Sequence, residues 1–80
     1  MDGLTEGRIV HFVMPSREHR PAIVVKVWDI PGSCDGYINL VVFVDGLNDV
    51  KPMDTTQWET SICFDDVDKS SGTWHWIEKA

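Results

Sequence analysis

Short runs of β-branched and aromatic residues, each bounded by proline, glycine or acidic turn residues, most constrain what this chain can fold into. Such runs are typical of strands, and turn signals separate them at intervals of about 8–15 residues. No segment repeats apolar residues with the helical period of 3.6 over ten residues. The predicted strands are Gly7–Met14, Ala22–Trp28 with Pro21 at its start, Tyr37–Val44, Gln57–Phe64 and Thr73–Glu78.

These five strands predict a single all-β domain over residues 1–80, with Leu47–Thr55 as a loop. Short strands joined by tight turns favour a small five-stranded antiparallel barrel or a strongly bent sheet, SH3-like or OB-like. In the fourth strand, alternation predicts that Trp58, Thr60, Ile62 and Phe64 face the core.

The first three predicted strands are apolar on both faces. One set of faces suffices for a core: Val10, Phe12 and Met14; Ile23, Val25 and Val27; Ile38, Leu40, Val42 and Val44. The opposite faces then carry Ile9, Val13, Val24, Trp28, Tyr37, Val41 and Phe43. Because soluble monomers avoid large exposed apolar patches, we predict a symmetric homo-oligomer.

The charge of the chain is unevenly distributed. Residues 1–27 carry four basic and three acidic residues, a net +1, whereas residues 28–80 carry three lysines and ten carboxylates, a net −7. A protein that binds duplex nucleic acid needs a basic surface to neutralise the phosphates. The acidic charge of this chain therefore excludes duplex nucleic acid as a partner. A small anionic ligand held by the arginines near the N-terminus remains compatible with this pattern.

The sequence predicts neither a signal peptide nor a membrane span. The first residues are polar and acidic, and no apolar run approaches the ~20 residues needed to span a bilayer. We therefore expect a cytoplasmic protein with no membrane partner. In that compartment Cys34 and Cys63 are expected to be reduced thiols, although a disulfide between them is an alternative.

The sequence contains no signature of catalysis or of a cofactor. Neither cysteine belongs to a Cys-x-x-Cys pair or lies at ligand spacing from a histidine, so structural zinc is not expected. The three histidines, His11, His19 and His75, are not accompanied by a nucleophile motif such as Gly-x-Ser-x-Gly. We predict a protein that is not an enzyme and that needs no cofactor.

The aromatic residues are the best indication of a binding site. Indoles stack on nucleobases and anchor interfaces, while arginine binds phosphate. In Thr73–Glu78 alternation places both indoles on one face and His75 on the other, where it could lie beside His11. The candidate ligand-binding residues are Trp28, Trp74, Trp76, His75, His11, Arg8 and Arg20. The alternative is that Trp58, Trp74 and Trp76 fill the core and Trp28 fills an oligomer interface.

Two long segments carry a family resemblance. Gly7-Arg8-Ile9-Val10-His11-Phe12-Val13 and Arg20-Pro21-Ala22-Ile23-Val24-Val25-Lys26-Val27-Trp28-Asp29 resemble a family of small proteins of bacteriophages and prophages. Ile38–Gly46, the Thr60-Ser61 step and Gly72–Trp76 extend the resemblance over nearly the whole chain. The resemblance implies a phage accessory protein in the cytosol of a host bacterium and names no chemistry.

A more specific function follows only by analogy. Small oligomeric phage proteins include sponges that sequester the nucleotide signals of bacterial immunity, such as cyclic ADP-ribose variants or cyclic dinucleotides. This chain is similar to them in size, expected oligomerisation and aromatic content, so we predict nucleotide sequestration without catalysis. The alternatives are a module that blocks a host protein and a structural or assembly component of the phage.

Overall fold

A computed structural model describes residues 1–30, 32–49 and 55–78 of the chain. It confirms an all-β fold. The elements are β1 (Ile9–Val13), β2 (His19–Val27), β3 (Ile38–Phe43), a single helical turn α1 (Gly46–Asp49), β4 (Thr56–Ile62) and β5 (Trp74–His75). None of the helical residues in these ranges belongs to a helix long and apolar enough to cross a membrane.

The helical turn α1 lies where the sequence predicted a tight turn followed by a loop. It forms because the Asp45 carbonyl accepts hydrogen bonds from the amides of both Asn48 and Asp49. The Asn48 side chain also donates a hydrogen bond to the Asp45 carboxylate, and this side-chain contact further stabilises the turn. The middle of the predicted loop, residues 50–54, lies outside the described residues.

The strands form one antiparallel sheet in the order β4-β3-β2-β1-β5. The barrel alternative is wrong, because the sheet is not closed: β4 and β5 are its two edges. The edges nevertheless approach each other just beyond β4, where Phe64 makes an isolated parallel bridge to Trp74. Hydrogen bonds from the Trp74 amide to the Cys63 carbonyl and from the Asp65 amide to the Trp74 carbonyl hold this contact.

One face of the sheet carries the core. Its buried members are Val10, Phe12, Met14, Ala22, Val24, Ile38, Leu40, Val42, Ile62 and Trp74. The predicted faces of β1 and β3 agree with this set, but the predicted face of β2 is wrong: Ala22 and Val24 are buried, whereas Val25 is exposed. The β2–β3 register shifts between Val24 and Lys26, so one alternation pattern cannot describe the whole strand.

The prediction for β4 is also wrong for Trp58, whose side chain is 60% exposed, and for Thr60, which is exposed. The cause is an irregularity in the β3–β4 pairing between Ile38 and Leu40, opposite Ser61, which has a positive φ of 61°. The Asn39 side-chain oxygen supports this irregularity by accepting hydrogen bonds from the Ser61 amide and the Thr60 hydroxyl. Of the residues predicted to face the core along β4, Ile62, which follows the irregularity, is therefore the one that is buried.

The two cysteines form a disulfide, with 5.9 Å between the Cα atoms of Cys34 and Cys63. The expectation of reduced thiols is therefore wrong. The bond joins the loop before β3 to the residue that follows β4, positions 29 residues apart in sequence. The expectation of reduced thiols rested on the expected cytoplasmic location. The sequence does not reveal that the two cysteines are neighbours, because they meet only after β3 and β4 have paired.

Candidate metal centre

The three histidines of the sequence come together on the face of the sheet opposite the core. His11 and His75 are direct cross-strand partners between β1 and β5. His19 pairs with Val13, two residues further along β1, so it lies diagonally beside His11 on the same face. Ring centroids are 5.7 Å apart for His11 and His75 and 4.7 Å apart for His19 and His75.

The ring nitrogens converge on one carboxylate oxygen. His11 Nδ1 lies 2.9 Å and His19 Nδ1 lies 3.0 Å from Oε1 of Glu78. His75 Nε2 contacts the same oxygen. One ligand atom from each of the four residues lies within 4.8 Å of the other three. We call the set formed by His11, His19, His75 and Glu78 the histidine centre.

Burial and charge distinguish the members of the histidine centre. His75 is completely buried, while His11 and His19 are partly exposed and the Glu78 side chain is 37% exposed. Hydrogen bonds from His11, then from His75 and His19, hold the pKa of Glu78 well below its ordinary value of 4.5. Lys69 Nζ lies 3.5 Å from the other carboxylate oxygen, Oε2.

The burial of His75 is not explained by ordinary hydrogen bonding. Its Nδ1 atom is buried and has no hydrogen-bond partner among the residues that the structure describes. A ring buried with one nitrogen unpaired is costly, by about 1–3 kcal/mol in typical proteins. The contacts of Nε2 within the histidine centre must therefore help to stabilise the ring in this position.

The donor set is that of a transition-metal site. Imidazole nitrogen and carboxylate oxygen are common ligands of Zn²⁺, at about 2.0–2.2 Å. In a tetrahedral shell two such ligands are about 3.4 Å apart, so atoms of the centre that are now up to 4.8 Å apart need to approach by as much as ~1.4 Å. Three ligands stand on paired strands of one sheet, which fixes their relative positions.

The structure separates the other residues that the sequence selected for ligand binding. Trp74 is fully buried in the core, and its indole N–H donates to the Gly36 carbonyl at 2.6 Å. Trp76 packs edge-on against Trp74, with ring centroids 5.1 Å apart, and the Arg8 guanidinium lies over the Trp76 ring at 5.5 Å. Trp74 and Trp76 thus belong to the core side of β5, away from His75.

Trp28 occupies a third location. Its indole N–H donates to the Asn39 side-chain oxygen at 2.9 Å, and Lys26 Nζ lies 5.1 Å from its ring centroid. The residue lines a cleft of about 450 Å³ together with Met1, Leu4, Val27, Asp29, Ile30, Ser33, Cys34, Asp35, Gly36 and Tyr37. Trp28 therefore borders a cavity of ligand size.

Arg20 is engaged in a bidentate ion pair with Asp49 in α1. Its Nε and terminal nitrogen donate to the two Asp49 oxygens at 2.7 and 3.1 Å. The Asp49 side chain is only 2% exposed, and its carboxylate also accepts from the Asp45 amide. The hydrogen bond from Arg20, followed by that from the Asp45 amide, lowers the pKa of Asp49 below its ordinary 3.8. The pair holds α1 against β2.

This ion pair predicts a pH-dependent stability difference. A lowered pKa in the folded state means that Asp49 stabilises the fold above pH ~4 and that this contribution is lost as the pH falls below that value. We expect Asp49→Asn to lower the Tm by several degrees at pH 7, and by clearly less at pH 3. Thermal unfolding of both forms at the two pH values measures this. Asp66→Asn, at an exposed position, is the control, and an equal loss for Asp49→Asn at both pH values would contradict the assignment.

Sequence reasoning anticipated half of the histidine centre. The expectation that His75 could lie beside His11 is confirmed by their pairing. His19 was not selected, because it lies between the first two predicted strands, whereas β2 begins at that residue. Glu78 was not selected either, since it follows β5 and no pattern links it to the histidines. A useful signal would have been that all the histidines lie in or next to predicted strands.

No protein-family model matches the chain, and neither the curated proteins nor the solved structures contain a significant match. The resemblance to phage proteins thus stays a prediction, and the function rests on the geometry.

Proposed function

We propose that the protein is a small binding protein that holds one transition-metal ion, of the Zn²⁺ class, at the histidine centre. The observation that carries this proposal is the convergence of three imidazole nitrogens from three strands on a single point. The sequence predicted no cofactor, because its rules for metal sites depend on short ligand spacings. Here the ligands are separated in sequence and adjacent in space.

The alternative is a cluster of hydrogen bonds that holds no ion. In that case one oxygen, Oε1 of Glu78, accepts from three ring nitrogens although an oxygen has two lone pairs. The second oxygen meanwhile faces Lys69 at 3.5 Å, too far for a strong hydrogen bond. An ion near the present position of Oε1 resolves this mismatch, because each nitrogen then directs its lone pair at a cation and Glu78 becomes the fourth ligand.

The proposed centre is a binding site and not a catalytic one. With Glu78 as the fourth ligand, the protein completes a tetrahedral shell, as in structural zinc sites, whereas catalytic zinc keeps a position for water or substrate. The absence of catalysis, predicted from the sequence, is therefore also part of the proposal.

Metal binding is tested by equilibrium dialysis against Zn²⁺ and by titration with Co²⁺, whose visible absorption reports tetrahedral coordination. We expect one ion per chain, and at least about 100-fold weaker binding for His19→Ala, since even residues that only support ligands contribute 10–100-fold. Both cysteines are in the disulfide, so thiolates do not contribute to the Co²⁺ spectrum. The control is Glu18→Gln, next to His19 but mostly exposed. Equal retention of the ion by His19→Ala would overturn the proposal.

Nucleotide capture is the second candidate function, and the cleft beside Trp28 favours it. Its volume lies within the range of small-molecule sites, and an indole and Tyr37 border it. Asp29 and Asp35 line the same cleft, so a base and ribose suit its interior better than phosphate does. Lys26, beside the Trp28 ring, is placed to contact a phosphate outside it.

A thermal-shift panel of cyclic dinucleotides and ADP-ribose derivatives, run in EDTA to exclude the histidine centre, tests this candidate. A ligand at 100 times its Kd stabilises the native state by about 2.7 kcal/mol, which is easily detected. The shift should disappear in Trp28→Ala and persist in Trp58→Ala. If no member of the panel shifts the wild type at saturating concentration, nucleotide capture is excluded.

The predicted homo-oligomer and host-protein partner also stay proposals, and a row of residues across the sheet supports them. Ile9, Ile23, Val41 and Trp58 are cross-strand neighbours in one row over four strands, and Ile9 and Trp58 are more than half exposed. This row supports a symmetric homo-oligomer, which light scattering of the wild type and of Trp58→Lys would test. It equally offers a surface for blocking a host protein, or for assembly as a component of the phage. Residence in the host cytosol also stays a proposal. Because the disulfide between Cys34 and Cys63 is unusual in that compartment, fractionation of infected cells tests it.

A further inference from the structure

We propose that the metal centre binds a phosphoryl group in place of the Glu78 carboxylate. This inference rests on the metal binding proposed above, and it identifies the class of ligand that the centre receives from solution. It comes from the difference between Glu78 and the three histidines, and from the position of Lys69.

Glu78 is the exchangeable member of the centre. The histidines stand on β1, β2 and β5, within the hydrogen-bonded sheet. Glu78 lies beyond β5, is the most exposed of the four, and contacts all three histidines through a single side-chain oxygen. Replacing it therefore leaves the paired strands undisturbed. The ion would remain on three imidazoles with a fourth position facing solvent, as in zinc sites that bind exogenous ligands.

The Glu78 carboxylate also shows which ligand fits. Its two oxygens bridge the histidine nitrogens on one side and Lys69 Nζ on the other. Two oxygens of a phosphoryl group can bridge a metal ion and an ammonium in the same way, and phosphate carries more charge than a carboxylate. The carboxylate thus occupies the place of an anionic ligand that has one oxygen on the metal and one on the lysine.

Lys69 is held in place by its loop. The Asp65 carboxylate accepts hydrogen bonds from the amides of Val67, Asp68 and Ser70 and from the Ser70 hydroxyl. These bonds surround Lys69, whose own φ of 51° lies in the left-handed region, and its side chain is 31% exposed. The backbone of Lys69 is therefore fixed before a ligand arrives, and its ammonium can still be reached from solvent.

The test uses Co²⁺-loaded protein titrated with inorganic phosphate, with AMP in a parallel arm. Exchange of the fourth ligand should change the visible spectrum in a saturable manner. In Glu78→Gln the competing carboxylate is lost, so we expect about tenfold tighter phosphate binding. In Lys69→Met one charge-assisted contact is lost, so we expect about tenfold weaker binding, whereas Arg17→Met, at an exposed position outside the centre, should match the wild type. Tighter binding of AMP than of phosphate would show that the nucleoside also contributes.

The outcomes separate the two proposals. If wild type and Glu78→Gln both bind Co²⁺ and neither spectrum responds to phosphate or AMP, the phosphoryl site is overturned while the metal centre stands. If the phosphate response is the same in Lys69→Met as in the wild type, the bridging geometry is wrong and the proposal fails in this form. If Co²⁺ itself does not bind, the metal centre fails first.

Discussion

Saturating Zn²⁺ should raise the Tm of the protein by roughly 15–30 °C. An ion that binds the folded chain alone adds about 4 kcal/mol of stability at a thousand times its Kd. In a domain of 60–100 residues each kcal/mol corresponds to about 4–8 °C. The ion would bind only the folded chain because the ligands come from both sides of β1 and meet only when the two-residue strand β5 is paired with the sheet. Differential scanning fluorimetry with EDTA and Zn²⁺ measures it.

Two variants make the zinc experiment decisive. His19→Ala removes a partly exposed ligand and should remove most of the zinc-dependent shift while the EDTA form keeps the Tm of the metal-free wild type within a few degrees. Glu18→Gln, one residue earlier, should retain the full shift. A wild type whose Tm is the same in Zn²⁺ and EDTA would show that the histidine centre is a hydrogen-bonded cluster.

Removal of the disulfide should destabilise the protein by about 3–4 kcal/mol. In the chain-entropy model this is the stabilisation from closing a loop of about 30 residues, because the cross-link restricts the unfolded chain. The bond closes a 29-residue separation between Cys34 and Cys63. A small domain has little core with which to compensate. The Cys34→Ser/Cys63→Ser double variant, unfolded in urea beside the oxidised wild type, measures the difference.

The reduced wild type is the matched control for that double variant. Reduction removes the cross-link and changes no side chain except the two cysteines. The reduced wild type and the double variant should therefore lose similar stability relative to the oxidised wild type. A difference of less than about 1 kcal/mol between oxidised and reduced wild type would mean that the cross-link contributes little, because strain in the folded state or structure in the unfolded state offsets the entropy. Agreement between the two losses would assign the stabilisation to the bond itself.

The strands could be predicted from the sequence because their information is local. Alternation and β-branched residues located all five strands to within a few residues, although β5 is much shorter than Thr73–Glu78. Local patterns failed where a register shift intervened. The faces of β2 and the burial of Trp58 depend on irregular pairing with β3, and no periodicity reports a change in the partner strand.

The histidine centre and the disulfide were decided by tertiary structure. His11, His19, His75 and Glu78 span 68 positions of the chain, as the separation of 67 between His11 and Glu78 shows. They meet because β1 lies between β2 and β5, and that order is a property of the whole sheet. Cys34 and Cys63 likewise meet through the pairing of β3 with β4. The sequence by itself determined that this chain forms strands, since strand propensity is local, whereas sites built across strands require the topology that only the folded sheet defines.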